Sequence, residues 1–319
     1  MATARLKVLK VGPLVTFQDL GRPGYMKFGV PGSGPMDRVS FCAANLALGN
    51  EMDSTSIEVS MGGIEIECIE GALSLAVSGN GFIGSLGDHE FETGCVFELH
   101  SGQRLSLRPG ASGCWCYLAF AGKPDVPTWL GKTATHSQSG FGGGRVKTGQ
   151  ILKIENTETR RDREGRLHPF DFKPFDGYAR IVLGPQERHF TKLARSLLLQ
   201  SEFQLSTMYD RMGYRLEGPK LEIKGSLSIP SEPITKGSIQ VSGNGTPTIL
   251  LADHQTTGGY PKIATVVSAD LDTLAQLRPH EKLRFKEIDP QDATKMARIR
   301  AIELSAYFNA LARSRSNPT

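Results

Sequence analysis

Long apolar runs are missing from this 319-residue chain. No stretch approaches the roughly 20 consecutive apolar residues that a membrane-crossing helix needs, and no apolar leader core follows the N-terminus. A cytoplasmic protein without membrane association is the expectation. Cysteine is scarce: Cys42, Cys68, Cys95, Cys114 and Cys116 are odd in number and irregularly spaced, which argues against a disulfide framework. Cys114-Trp-Cys116 puts two thiols on one strand face, where they read as small buried hydrophobes. The seven histidines never pair as His-x-His or His-x-x-x-His, so no metal site is expected. A basic face with interleaved aromatics is lacking too. The excess of 37 Lys and Arg over 33 Asp and Glu lies largely in Arg160-Arg-Asp-Arg163 and Arg313-Ser-Arg315, which reads as solvated surface and not as a nucleic-acid footprint.

Familiar catalytic signatures are also absent. Gly131-Lys-Thr133 imitates the end of a phosphate-binding loop, but Val126 stands where the leading glycine belongs and Pro127 and Trp129 interrupt the loop. Phe141-Gly-Gly-Gly144 lacks the strand and helix that a dinucleotide fingerprint requires, leaving a flexible loop or lid. There is no Gly-x-Ser-x-Gly elbow, and Ser137 and Ser139 have no nucleophile context in the sequence.

What is present is short-period alternation punctuated by 36 Gly and 18 Pro. Leu73–Val77, Arg104–Arg108 and Lys282–Lys286 alternate with the period of two that half-buried strands show. Val77-Ser-Gly-Asn-Gly81 recurs as Val241-Ser-Gly-Asn-Gly245. Each copy follows a strand-like segment, Ile64–Ile69 or Leu221–Lys224, and Arg22-Pro-Gly-Tyr25 and Arg211-Met-Gly-Tyr214 lie upstream. Two related modules follow from that order. The expected layout is mainly β: a barrel-like module over 1–155, a linker over 156–175, a second module over 176–288, and a helix with a tail over 289–319. Three helices are expected. Asp37 caps one through Leu48, one spans Gln186–Leu198, and Asp289-Pro290 starts one that runs to about Arg313 with Ile299, Ile302, Ala306 and Ala310 along one face, to pack on a barrel or on a partner.

The densest chemistry lies between Leu250 and Val266. Asp253-His-Gln-Thr-Thr-Gly-Gly-Tyr-Pro-Lys262 gathers donors, acceptors, a carboxylate and a cation within ten residues. We read it as an open polar wall for a planar N–C=O unit. Gln255, Thr256 and the Gly258 and Gly259 amides donate to the carbonyl, Asp253 accepts from the N–H, and Lys262 is a counter-charge to developing negative charge. Asp253 and Lys262 are the expected catalytic pair; Gln255, Thr256, Thr257, Gly258, Gly259 and Tyr260 are the expected binding residues. Gln18, Asp19 and Arg22 form a second polar group, as a local ion pair fixing a loop or as a pocket rim where Arg22 holds a carboxylate or phosphate. Arg211 either pairs with a carboxylate in the linker or reaches the same ligand from the second module. On this reading Asp253→Asn and Thr257→Val abolish ligand response with stability within about 1 kcal/mol of the parent.

Four blocks carry a resemblance: Thr16–Tyr25 continuing through Gly29–Asp37, Ala121–Pro127 with Leu130-Gly131 and Gly140–Gly143, Asp210–Leu216, and Leu250–Val266. In that order they resemble the family known as the C subunit of 5-oxoprolinase, allophanate hydrolase subunit 2 and KipA, similar to the carboxyltransferase domain of urea carboxylase. The resemblance implies two tandem cyclophilin-like β-barrels. It also implies an ATP-dependent system, with Mg2+ accompanying the nucleotide. In it a smaller, KipI-like B subunit and a ring-opening A subunit join this chain to convert 5-oxo-L-proline and water to L-glutamate. A biotin-dependent carboxyltransferase discharging carboxybiotin is the alternative, and it requires a separate carrier because no Met-Lys-Met sequence occurs. A regulatory protein that antagonises a kinase inhibitor is the third reading.

Overall fold

In the computed structural model, residues 2–167, 175–224 and 229–313 are described. The chain divides into two compact units: Met1–Arg22 with Ser33–Phe172 and Leu304–Thr319, and Pro23–Gly32 with Lys173–Glu303. The chain is mainly β, with four α-helices among the described residues.

Two sheets build the first unit. One has seven strands, in the order Lys123–Pro124, Ile151–Glu155, Thr3–Val11, Ile64–Glu70, Arg104–Pro109, Phe82–Leu86 and His89–Glu92. The other has six: Gly165–Arg166, Cys95–His100, Ala72–Gly79, Trp115–Phe120, Ser56–Ser60 and Thr16–Gln18. Their shared core explains the alternation. Ala4, Leu6 and Val8 point inward while Thr3, Arg5 and Lys7 face water, and Leu105 and Leu107 do the same between Arg104 and Arg108. Trp115–Phe120 is buried throughout because helix α1 (Arg38–Ala47) covers its other face. Asp37 caps α1, accepting from the Ser40 N–H at 3.0 Å and the Ser40 hydroxyl at 2.6 Å. Gly12 passes so close to Gly62 that a Cβ on it would lie 2.2 Å from the Gly62 Cα. No larger residue fits there.

The second unit is a closed barrel of seven strands, in the order Tyr178–Leu183, Lys262–Val266, Ser238–Val241, Pro247–Leu250, Gly213–Glu217, Glu202–Tyr209 and Lys282–Glu287. A parallel pairing of Tyr178–Leu183 with Lys282–Glu287 closes it. Closure by this pairing belongs to the second unit; in the first, the strands stay in two packed sheets.

Several local expectations change. The helix expected over Gln186–Leu198 is a 3-10 turn, Pro185–His189, followed by α2 (Lys192–Gln200); extended backbone at Phe190 and Thr191 separates them, and the Thr191 hydroxyl caps α2. Leu221–Lys224 is no regular strand and contributes one bridge, Ile223 to Phe190. The described part of the linker is fastened to the first unit: Arg160 N–H donates to Ser74 Oγ and Gly165–Arg166 extends a sheet. Pro169, Pro174 and Arg315 lie outside the described residues. Short α3 (Leu271–Ala275) precedes the last barrel strand, and α4 (Pro290–Arg313) ends the described chain. Within this chain the expected α4 face is not covered by a barrel. Ile299 and Ile302 are 57% and 71% exposed, whereas Leu311, Tyr307 and Phe308 pack with Ala43 and Leu46.

Candidate functional site

The segment 253–262 divides into a buried end and an open end. Asp253 is fully buried, and its carboxylate takes the Arg211 guanidinium in a two-pronged grip, at 3.1 Å from Nε and 3.0 Å from Nη2. Arg211 is equally buried. This fork geometry is the strong form of the pair, and it occupies the groups that were expected to meet a ligand. His254 is also buried, and its Nδ1 lies 2.7 Å from the Gln255 carbonyl oxygen. A carbonyl only accepts, so the proton is assigned to Nδ1 and the lone pair to Nε2. Burial holds the imidazole pKa below 6.5, chiefly by disfavouring the charged ring.

From Gln255 onward the segment opens. A two-stranded ribbon pairs Glu232 with Gly258 and Pro233 with Thr257. Gln255 Nε2 donates to Gln240 Oε1 at 3.1 Å, and Gln240 Nε2 donates to the Tyr260 carbonyl at 3.2 Å. Gln186 braces the far end, accepting from the Lys262 N–H at 2.8 Å and donating to Glu232 at 2.6 Å. The Lys262 side chain is 13% exposed, and its ammonium donates to the Pro233 carbonyl at 3.3 Å and lies 3.7 Å from Glu232. Its three protons exceed those partners. The hydroxyls of Thr256, Thr257 and Tyr260 and the Gly259 N–H have no hydrogen-bond partner among the described residues. A Cβ on Gly258 would meet Ile234 Cδ1 at 2.7 Å and the Gln240 and Gln255 carboxamide nitrogens at 3.0 and 3.3 Å. Here glycine lets the backbone lie against the two amides.

Gln18, Asp19 and Arg22 of the first unit are buried and occupied with one loop. Gln18 Nε2 donates to Thr16 Oγ1 at 2.8 Å and the Thr135 carbonyl at 3.1 Å. Asp19 accepts from the Gly21 and Thr133 N–H groups at 2.9 and 2.7 Å. Arg22 donates to the Trp129 and Ala134 carbonyls at 3.1 and 2.6 Å and lies over the Trp129 ring at 4.7 Å. They brace residues 129–135 and do not form an exposed rim. Within the same loop Lys132 is ion-paired with Asp53 and Thr133 holds Asp19, so Gly131-Lys-Thr133 is no phosphate cradle.

Gln186, Gln240 and Glu232 were not foreseen from the sequence. Gln240 reaches the loop from a barrel strand, Gln186 from the 3-10 turn Pro185–His189 and Glu232 from the two-stranded ribbon, and no motif marks them. A second polar cluster was also missed. Tyr117 donates to Glu58 at 2.8 Å while accepting the Asp37 N–H at 2.8 Å, all beneath α1. Burial, then the nearby Glu58 and Asp37 charges, push the Tyr117 pKa well up and keep the phenol protonated. No group of three or more His, Cys, Asp or Glu suited to a metal occurs among the described residues, and no described helix is long and apolar enough to cross a membrane.

A two-sheet unit and a closed seven-stranded barrel, with an amide-rich loop on the barrel, make up the described chain. The chain belongs to the carboxyltransferase domain family, subdomains A and B, which matches residues 28–287. It is 34% identical to the C subunit of 5-oxoprolinase from Haemophilus influenzae, covering 94% of this chain and 96% of the relative. It is 32% identical to the corresponding C subunit from Escherichia coli, covering 96% and 97%. The crystal structure of the Kluyveromyces lactis urea carboxylase superposes with a TM-score of 0.83 at 24% identity, over 96% of this chain and 29% of that one. That last likeness concerns the fold.

Proposed function

We propose that this chain is the C subunit of an ATP-dependent 5-oxoprolinase and that it acts with a smaller B subunit and a ring-opening A subunit. Together they convert 5-oxo-L-proline, ATP and water to L-glutamate, ADP and phosphate. The observation that carries the reading is kinship along nearly the full length with two proteins of that name. The open end of the loop supplies chemistry suited to the substrate. A lactam presents a planar N–C=O unit, and Gln255, Gln240 and the Gly259 N–H offer amide-type donors and acceptors at one place. Lys262 supplies positive charge for the carboxylate or for negative charge growing on the lactam oxygen, where a preorganised donor is worth several kcal/mol. Asp253 contributes by holding Arg211 and the buried end in place, as a positioning residue. Within Gly131-Lys-Thr133, Lys132 is committed to Asp53 and Thr133 to Asp19, so ATP and any Mg2+ belong to another part of the assembly or to residues outside that loop.

Membership of the carboxyltransferase domain family favours a second reading, a carboxyltransferase that takes its carboxyl group from carboxybiotin on a separate carrier. Reconstitution separates the two. With its A and B partners, the chain is expected to release glutamate from 5-oxoproline only when ATP is supplied. No turnover above that of the two partners alone, with carboxybiotin discharged instead, overturns the first reading.

A further inference from the structure

Residues 136–144 of the first unit have no part in the reading above, yet they hold a nucleophile and a base in contact. His136 is 9% exposed, and its Nδ1 lies 2.8 Å from Ser139 Oγ and 3.3 Å from the Ser139 backbone nitrogen. A backbone N–H only donates, so Nδ1 presents its lone pair and the ring proton is assigned to Nε2. The same lone pair receives the Ser139 hydroxyl proton. A hydroxyl hydrogen-bonded to a neutral imidazole in this sense is ready to lose its proton as it attacks. Ser139 itself is exposed, so Oγ is open to a reactant.

The surrounding loop is rigidly tied. His136 N–H donates to the Phe141 carbonyl at 3.0 Å, Gly140 N–H to the His136 carbonyl at 2.9 Å, and Gly143 N–H to the Thr133 carbonyl at 2.7 Å. Gly140 and Gly142 have φ of 72° and 98°, the left-handed region that glycine enters freely. Between these turns the N–H groups of Phe141 and Gly142 make no hydrogen bond among the described residues. Both amides are therefore free to donate to negative charge. The Phe141 ring is 50% exposed and stacks on Trp129 with centroids 4.6 Å apart, offering an apolar platform two residues from the serine.

We propose that Ser139 is a nucleophile, activated by His136, toward esters that carry an aromatic or apolar acyl group. This activity is separate from that of the 255–262 loop. Ser139 Oγ bonds to the acyl carbon and the ester C–O bond breaks. The hydroxyl proton passes to His136 Nδ1 and on to the departing alkoxide, while the Phe141 and Gly142 amides are the donors at hand for the carbonyl oxygen. Water then releases the acid through the same imidazole.

The test uses the full-length protein and phenylmethanesulfonyl fluoride, whose S–F bond breaks as Oγ bonds to sulfur and the proton leaves through His136. Intact-mass and peptide mapping are expected to find one adduct, on Ser139, formed at least 100-fold faster than on a serine-containing peptide, a general-base effect of about 10²–10⁴. Ser139→Ala, at an exposed position, should abolish it, and His136→Gln should slow it by about 100-fold. Absence of an adduct, an adduct elsewhere, or a wild-type rate equal to that of the peptide overturns the proposal, whatever the folding of the His136 variant. Hydrolysis of 4-nitrophenyl acetate that survives Ser139→Ala undiminished overturns it equally.

Discussion

Replacing Asp253 by Asn is the perturbation that most sharply separates an architectural carboxylate from a ligand-facing one. Both Asp253 and Arg211 are 0% exposed, and the carboxylate grips Nε and Nη2 at 3.1 and 3.0 Å. Asparagine keeps the shape but removes the charge and turns an N–H2 toward guanidinium donors. A buried cation is then left without its counter-ion, which destabilises by about 3–5 kcal/mol. In a domain of this size 1 kcal/mol moves the melting temperature by roughly 2–4 °C, so a drop of about 6–20 °C is expected in the transition of the second unit. The assay is a double-mutant cycle in urea with Asp253→Leu, Arg211→Met and the Arg211→Met/Asp253→Leu pair, with Asp253→Asn measured beside them. The double variant should recover much of the loss, because an apolar pair leaves no uncompensated charge. A coupling free energy above about 2 kcal/mol is expected. An Asp253→Asn protein within about 1 kcal/mol of the parent would refute the burial reasoning and return Asp253 to the substrate.

Other expectations follow from the same geometry. Gly258→Ala should push the Gln240 and Gln255 amides apart, raising KM for 5-oxoproline in the reconstituted system with a melting temperature near that of the parent. Lys262→Met should weaken binding of 5-oxoproline more than that of 2-pyrrolidinone, which lacks the carboxylate, with under about 1 kcal/mol of stability lost because Glu232 is half exposed. Gly12→Ala should destabilise the first unit by about 1–3 kcal/mol through overpacking against Gly62, seen by chemical denaturation. His254 gives a pH signature. Its folded pKa lies below 6.5, so the unfolded chain binds the proton more readily. Stability of the second unit is full above that value and falls as pH drops below it toward the folded pKa. Melts at pH 7.5 and 5 should differ less in His254→Leu than in the parent.

Most local signals were legible. The alternation of Leu73–Val77, Arg104–Arg108 and Lys282–Lys286 yields strands, Asp37 caps α1, and Asp289-Pro290 starts α4. What escaped depends on distance along the chain. Barrel closure rests on Tyr178–Leu183 meeting Lys282–Glu287, and no local pattern announces that pairing. Arg211 and Asp253 are 42 positions apart, so the acid read as a ligand group is instead consumed by an arginine that spacing does not connect to it. Gln186 lies 76 positions from Lys262 and was hidden in the same way. The helix over Gln186–Leu198 failed for a nearer reason. Thr191 prefers to cap, and the chain turns extended before it.

The claim that the open end of the 253–262 segment receives the lactam is tested most directly by hydrogen–deuterium exchange on the assembled complex, with 5-oxoproline compared against proline. Slower exchange at the Gly259 and Tyr260 amides is expected with 5-oxoproline alone, with no change in the peptide covering 136–144. Unchanged exchange across 255–262, together with protection in another segment, would contradict the claim.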